Sequence, residues 1–246
     1  MDSVLYLSSS AARELMQAQT VHANNLANAG TGGFKADFAQ ARAMQVYGDG
    51  YPGRVYSATE SPATNMSPGS LDQTGRNLDV AIDGDGWLAV MRNDGTEAFT
   101  RYGSLEVDSA GLLRTTRGEP VLGEGGPIAL PPFETVLIGG DGTVTVQPVG
   151  QDPSNLVQVD RLKLVAPERG ALVKGPDGLF TRADGLPEPP AAGVSLVSGM
   201  VENSNVNVVN EMTEILAIAR EFEIHLRLMQ AAEQNDEAAS ELLSSR

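Results

Sequence analysis

Gly199-Met200-Val201-Glu202-Asn203-Ser204-Asn205-Val206-Asn207 opens the C-terminal stretch of this 246-residue chain. Beyond it, apolar residues fall at Val208, Met212, Ile215, Ala219, Phe222, Leu226 and Met229. Steps that alternate four and three wind one stripe along an α-helix near the coiled-coil period. Asn207 suits the N-cap, and Glu211 and Glu214 sit where the helix dipole favours carboxylates. Arg220, Glu221, Glu223 and Arg227 make the solvated face. The pattern far outlasts an average helix of about 11–12 residues. A stripe of that length needs a partner, since each large side chain contributes roughly 1.5–3 kcal/mol only when covered.

The mate lies at the opposite end of the chain. Residues 3–26 read as a second helix, with Val4, Leu7, Ala11, Leu15, Ala18 and Leu26 on one face and His22 on the same line. Asn24-Asn25-Leu26-Ala27-Asn28 and Gly30-Thr31-Gly32-Gly33 then stop the helix and turn the chain. Gly, Pro, Ser, Thr and Tyr dominate from about Gly48 to Ser70, as in Tyr51-Pro52-Gly53, and no periodicity survives. That composition predicts an extended linker.

The middle of the chain is β. Leu78, Val80 and Ile82 alternate with polar neighbours, as do Val157 with Val159 and Leu162 with Leu164 around a one-residue slip that predicts a bulge. Turn signals recur at Asn93-Asp94-Gly95, Asp108-Ser109-Ala110-Gly111, Gly140-Asp141-Gly142 and Asp177-Gly178. The expected fold is therefore mainly β with terminal helices. An N-terminal helix (1–30) pairs with a C-terminal helix (199–246) in a coiled-coil-like domain. Between them come an extended linker (31–70) and an inserted antiparallel, many-stranded β domain (71–198) of sandwich or barrel type.

Charge and composition exclude several functions. Seventeen basic against 32 acidic residues leave a formal charge of −15, which disfavours nucleic acid. The chain has no Cys, so disulfide and thiolate chemistry are out. No apolar run approaches the ~18–20 residues of a membrane span. Met1-Asp2-Ser3-Val4-Leu5-Tyr6-Leu7 lacks the basic region of a cleaved secretory signal, so any export is expected to use another route.

Asp83-Gly84-Asp85-Gly86 invites a calcium reading, but loop positions six and twelve fall on Leu88 and Asp94 instead of Gly and Glu. A tight turn between Ile82 and Trp87 is expected there. Gly123-Glu124-Gly125-Gly126 is neither a dinucleotide fingerprint nor a P-loop. His22 and His225, the only histidines, make a weak metal pair without supporting Cys. Among the many acids no pair is marked for glycosidase-like chemistry. No enzyme activity, cofactor or metal is expected.

Asn24-Asn25-Leu26-Ala27-Asn28 with Thr31-Gly32-Gly33-Phe34-Lys35 resembles the N-terminal signature of the bacterial flagellar rod and hook (axial) protein family. Glu202-Asn203-Ser204-Asn205-Val206-Asn207 resembles its C-terminal signature. Thr74-Gly75-Arg76-Asn77-Leu78-Asp79 through Trp87, with Phe99-Thr100-Arg101, is similar to the β-domain entry of the rod and hook members. Arg161-Leu162-Lys163-Leu164-Val165 and Trp87 look most like the proximal rod members, with the distal rod members as the alternative.

The resemblance implies a structural subunit that polymerises through its terminal helices into the axial drive shaft, transmits torque and forms part of the export channel. Its implied partners are further copies of itself, the distal and other proximal rod proteins, and the flagellar type III export apparatus. Its implied location is the basal-body rod in the periplasmic space. The expected assembly interface is Leu7, Leu15 and Leu26 with Val208, Met212, Ile215, Ala219, Phe222, Leu226 and Met229. Other classes compete: a secreted β-fold enzyme, or a monomeric β-domain binding module on which both helices merely dock.

Overall fold

The computed structural model describes residues 2–39, 41–45, 55–59, 63–152, 155–168 and 170–244. The chain divides into two compact units. A helical unit holds Met1–Ala29, Lys35–Met66 and Val206–Arg246; a β unit holds Gly30–Phe34 and Ser67–Asn205. The two terminal helices thus fall in the same unit.

The helical unit is built on α1 (Asp2–Ala27) and α2 (Val208–Ser244), which lie against each other. Asn207 caps α2 as its position suggests, its Oδ1 accepting the N–H groups of Val209 and Asn210 at 3.1 and 3.2 Å. At the end of α1, the backbone N–H and side-chain amide of Asn28 both donate to the Asn24 carbonyl, at 3.1 and 2.9 Å. A carbonyl that the last turn would leave open is satisfied twice.

Residues 31–70 differ from the expected linker. Asp37–Phe38 pairs with Ala63–Thr64, and Ala41–Gln45 pairs with Val55–Thr59 over five residues. Ala41-Arg42-Ala43-Met44-Gln45 has no β-branched residue, so its strand state comes from its partner and not from its own pattern. Residues 46–54, including Tyr51-Pro52-Gly53, and 60–62 lie outside the described residues.

In the β unit every described strand pairing is antiparallel. A five-stranded sheet runs Leu164–Val165, Trp87–Met91, Glu97–Thr100, Phe180–Arg182, Leu172–Lys174. A three-stranded sheet runs Phe133–Ile138, Thr143–Pro148, Val157–Arg161. Their inward rows meet in one core that includes Val80, Leu88, Val90, Leu105, Val144 and Val146. The predicted slip is present: Val144 faces Asp160 while Thr145 faces Gln158, which leaves Val159 as the extra residue of a bulge. Past it the chain changes sheets, so Leu164 and Val165 pair with Leu88 and Trp87.

The predicted turns hold themselves by short polar contacts. Gly142 takes the left-handed φ of 88° that its corner needs, beside Asp141, which accepts from Thr143. Asp108 accepts the N–H groups of Leu112 and Ala110, which hold its carboxyl below the usual range. A depressed folded value means the unfolded chain binds more protons in acid. The contribution is therefore full above about pH 4 and fades as pH falls through the folded value. The stability gap between the native chain and Asp108→Ala should be widest at about pH 6 and narrow by about pH 2 in urea titrations. A gap that widens in acid would contradict the sign.

Candidate assembly surfaces

On α2 the more covered positions are Glu211, Ile215, Ile218, Phe222, His225, Met229 and Ala232, again in steps of four and three. Ile215, Phe222 and Met229 lie on both this line and the expected stripe. Val208, Met212, Ala219 and Leu226 do not; they are exposed, and Ile218 and His225 take the covered places. On α1, Leu15 and Leu26 are half-buried, but Leu7 is exposed and its neighbour Ser8 is buried. The physical reason is that α2 carries apolar residues on more than one side. Val209, Leu216, Ile224 and Leu228 are exposed too, so a periodic pattern alone admits two lines.

A polar cluster crosses the covered side. His22 Nδ1 lies 2.6 Å from Glu211 Oε2. The Asn25 amide donates to the Asp37 carbonyl at 2.8 Å and toward Glu211 Oε1 at 3.4 Å. Its Oδ1 accepts the Asp37 N–H at 2.9 Å. Asn25, only 1% exposed, therefore pairs with a backbone peptide in both directions, as a neighbouring strand would. Thr64 donates to the Asp37 carboxylate at 2.8 Å. His225 sits fourteen residues beyond Glu211 on α2, about 21 Å along the axis, so the two histidines do not share a site.

Within the β unit, segments far apart in sequence meet. The Gly33 N–H donates to the Glu202 carbonyl at 2.7 Å, and the Asn205 N–H donates to the Phe34 carbonyl at 3.3 Å. Phe34 is buried, with Lys174 Nζ 3.9 Å above its ring. Glu202, 1% exposed, accepts the Gly69 N–H at 2.9 Å and Arg101 Nη1 at 3.0 Å. Arg101, 4% exposed, also donates to the Gly84 carbonyl at 2.6 Å and the Ile82 carbonyl at 3.3 Å, and lies 5.5 Å over Trp87. So the Asp83–Gly86 turn presents a carbonyl to an arginine. Among the described residues no group of three or more His, Asp or Glu side chains could hold a metal.

The motif residues thus separate physically. Gly33, Phe34, Glu202 and Asn205 come together. Asn25 joins the helix cluster, Asn24 and Asn28 finish α1, and Ala27 is exposed. Leu26, Ser204 and Val206 are half-buried. Sequence reasoning named Arg101 only as part of a motif and did not foresee its pairing with Glu202. The available signal was a charged residue directly after the strand Glu97–Thr100, two positions beyond the apolar Phe99.

Comparison with known proteins agrees with this organisation. Residues 5–35 match the family model described as flagella basal body rod protein. Residues 81–146 match the flagellar hook protein FlgE/F/G D1 domain, and residues 197–242 the C-terminal model of the flagellar basal body rod FlgEFG proteins. The chain is 40% identical to the flagellar basal-body rod protein FlgF of Escherichia coli over 252 residues, covering 99% of each. It is 39% identical to FlgF of Salmonella typhimurium, also over 99% of each, and 31% identical to FlgF of Caulobacter vibrioides over 99% of this chain and 98% of that one. FlgG of Buchnera aphidicola is 31% identical over 90% of this chain and 92% of its own. With helices at both ends, a β unit between them and this likeness along its whole length, the chain belongs to the flagellar basal-body rod protein family, among its FlgF members.

Proposed function

We propose that this chain is a structural subunit of the flagellar basal-body rod that polymerises through α1 and α2, with the β unit outside the helical packing. The relatives' shared description as basal-body rod proteins supports the rod assignment, and a structural role requires no catalytic centre. The observation that carries the assembly mode is the second apolar line of α2. Val208, Met212, Leu216 and Leu226 are exposed along one side of a helix whose other side lies on α1. Each contributes roughly 1.5–3 kcal/mol once covered, and a free patch of this kind marks an interaction surface.

In this reading α1 and α2 pair in a coiled-coil-like way within one chain, and helices of neighbouring subunits cover the remaining line. Residues 1–30 and 199–246 serve assembly. The expected interface residues divide accordingly, with Leu15, Leu26, Ile215, Phe222 and Met229 acting within the chain and Leu7, Val208, Met212, Ala219 and Leu226 between chains. The partners are other copies of the chain, the distal rod protein FlgG, other proximal rod proteins and the type III export apparatus that delivers it. The product is the proximal part of the torque-transmitting shaft and its central channel. No helix among the described residues is long and apolar enough to cross a membrane.

Two substitutions test the division. Leu216 is 60% exposed, so Leu216→Asp should leave unfolding of the purified chain within about 0.5 kcal/mol of native. A strain carrying only that variant should be non-motile, with rods arrested. Phe222 is half-buried on the covered line, so Phe222→Asp should weaken helix pairing in the purified chain by several kcal/mol as well. Normal motility with Leu216→Asp would overturn the proposed assembly face.

A further inference from the structure

We infer that His22, Asn25 and Glu211 select which side of α2 turns toward α1, and thereby which side is left free. Apolar content does not make that selection. The covered line through Glu211, Ile218 and His225 and the free line through Met212, Ala219 and Leu226 differ by one residue at alternate steps, and both share Ile215, Phe222 and Met229. At about 100° per residue, a roll of roughly 50° exchanges them. The free line offers Met212 and Leu226 where the covered line offers Glu211 and His225, against one exchange the other way, Ala219 for Ile218, so on burial alone the free line is the better seam.

The polar contacts reverse this preference. Glu211 Oε2 meets His22 Nδ1 at 2.6 Å and Glu211 Oε1 faces the Asn25 amide at 3.4 Å. Asn25 is itself fixed by both backbone groups of Asp37. Rolling α2 to the other line would place Met212 against His22 and leave their polar atoms without the Glu211 acceptor. A buried polar group stripped of its partner is destabilising, whereas an apolar line that rolls outward stays solvated as before. A single buried polar contact setting helix geometry at some expense in stability is a recognised device of helix pairs. The inference concerns packing within one chain and stands whether or not the free line is covered in a rod.

The chain's lack of cysteine makes the roll measurable. In the full-length protein, Met212→Cys should react with a thiol reagent on the order of tenfold faster than Ile218→Cys, since one position is 54% exposed and the other 8%. Adding His22→Ala, Asn25→Ala and Glu211→Ala together, which removes the polar contacts without adding a large apolar side chain to the covered line, should abolish or invert that contrast while far-ultraviolet circular dichroism still reports full helix content. Glu211→Gln should preserve the contrast, because its amide keeps an acceptor for Asn25 and a hydrogen-bonding group toward the His22 ring. An undiminished contrast in the triple alanine variant overturns the inference. So does loss of helix in that variant, since the cluster would then hold the pair together and not choose its face. Equal labelling of the two cysteines in the otherwise native chain overturns it as well.

Discussion

Glu202→Ala is expected to destabilise the β unit by about 3–5 kcal/mol, because it leaves the Arg101 guanidinium buried without its counter-charge. Arg101 is 4% exposed, and its remaining acceptors are the carbonyls of Gly84 and Ile82. The substitution also removes the acceptor for the Gly69 N–H. Gly69 cannot simply shift, since even a Cβ at that position would lie 2.0 Å from the Asn203 carbonyl oxygen. Trp87, the chain's single tryptophan, is buried beneath Arg101, so its emission during urea unfolding reports this unit directly. Removing both charges, as in Arg101→Met with Glu202→Met, should recover much of the loss, because the buried guanidinium goes with its counter-charge. Equal destabilisation in the single and double variants would show that the pair acts by shape and not by charge.

Gly33→Val should be the second large effect, for two independent reasons. Gly33 has a φ of 67°, where a β-branched residue is strained by roughly 1–3 kcal/mol. A Cβ there would also stand 2.5 Å from the Tyr102 backbone nitrogen, and such overpacking costs about 1–3 kcal/mol more. The outcome is loss of the Gly33–Glu202 hydrogen bond and release of the Thr31–Phe34 segment. In cells the expected phenotype is failed rod assembly with the protein still made and exported. Gly30→Val is the matched control: no atom lies within 4 Å of a Cβ at that position, and φ is not in the left-handed region. Similar unfolding curves for the two variants would remove the structural argument for the turn.

The parts of the fold legible from sequence are those set by local chemistry. The Asn207 cap, the polar stop after α1 and the Asp-Gly corners depend on contacts within a few residues, and each stands where residue type placed it. Long-range features were less legible. The hairpin of Ala41–Gln45 with Val55–Thr59 was hidden because its first strand is made of residues with no β pattern. Which side of α2 lies on α1 was not legible, because the two lines share Ile215, Phe222 and Met229 and differ by a roll of only about 50°. What decides the roll is Glu211, which sequence reading assigned to the helix dipole and not to His22 and Asn25. In the same way, Gly33, Phe34 and Glu202 were recognisable as motif residues, but not as neighbours held by Arg101.

Electron cryo-microscopy of isolated basal bodies tests the central claim most directly, by showing what covers the exposed side of α2 in the assembled shaft. The account expects this chain in the proximal rod, with Val208, Met212, Leu216 and Leu226 packed against helices of neighbouring subunits and the β unit on the outside. A rod in which that side of α2 faces solvent, or is covered by the chain's own β unit, would contradict it.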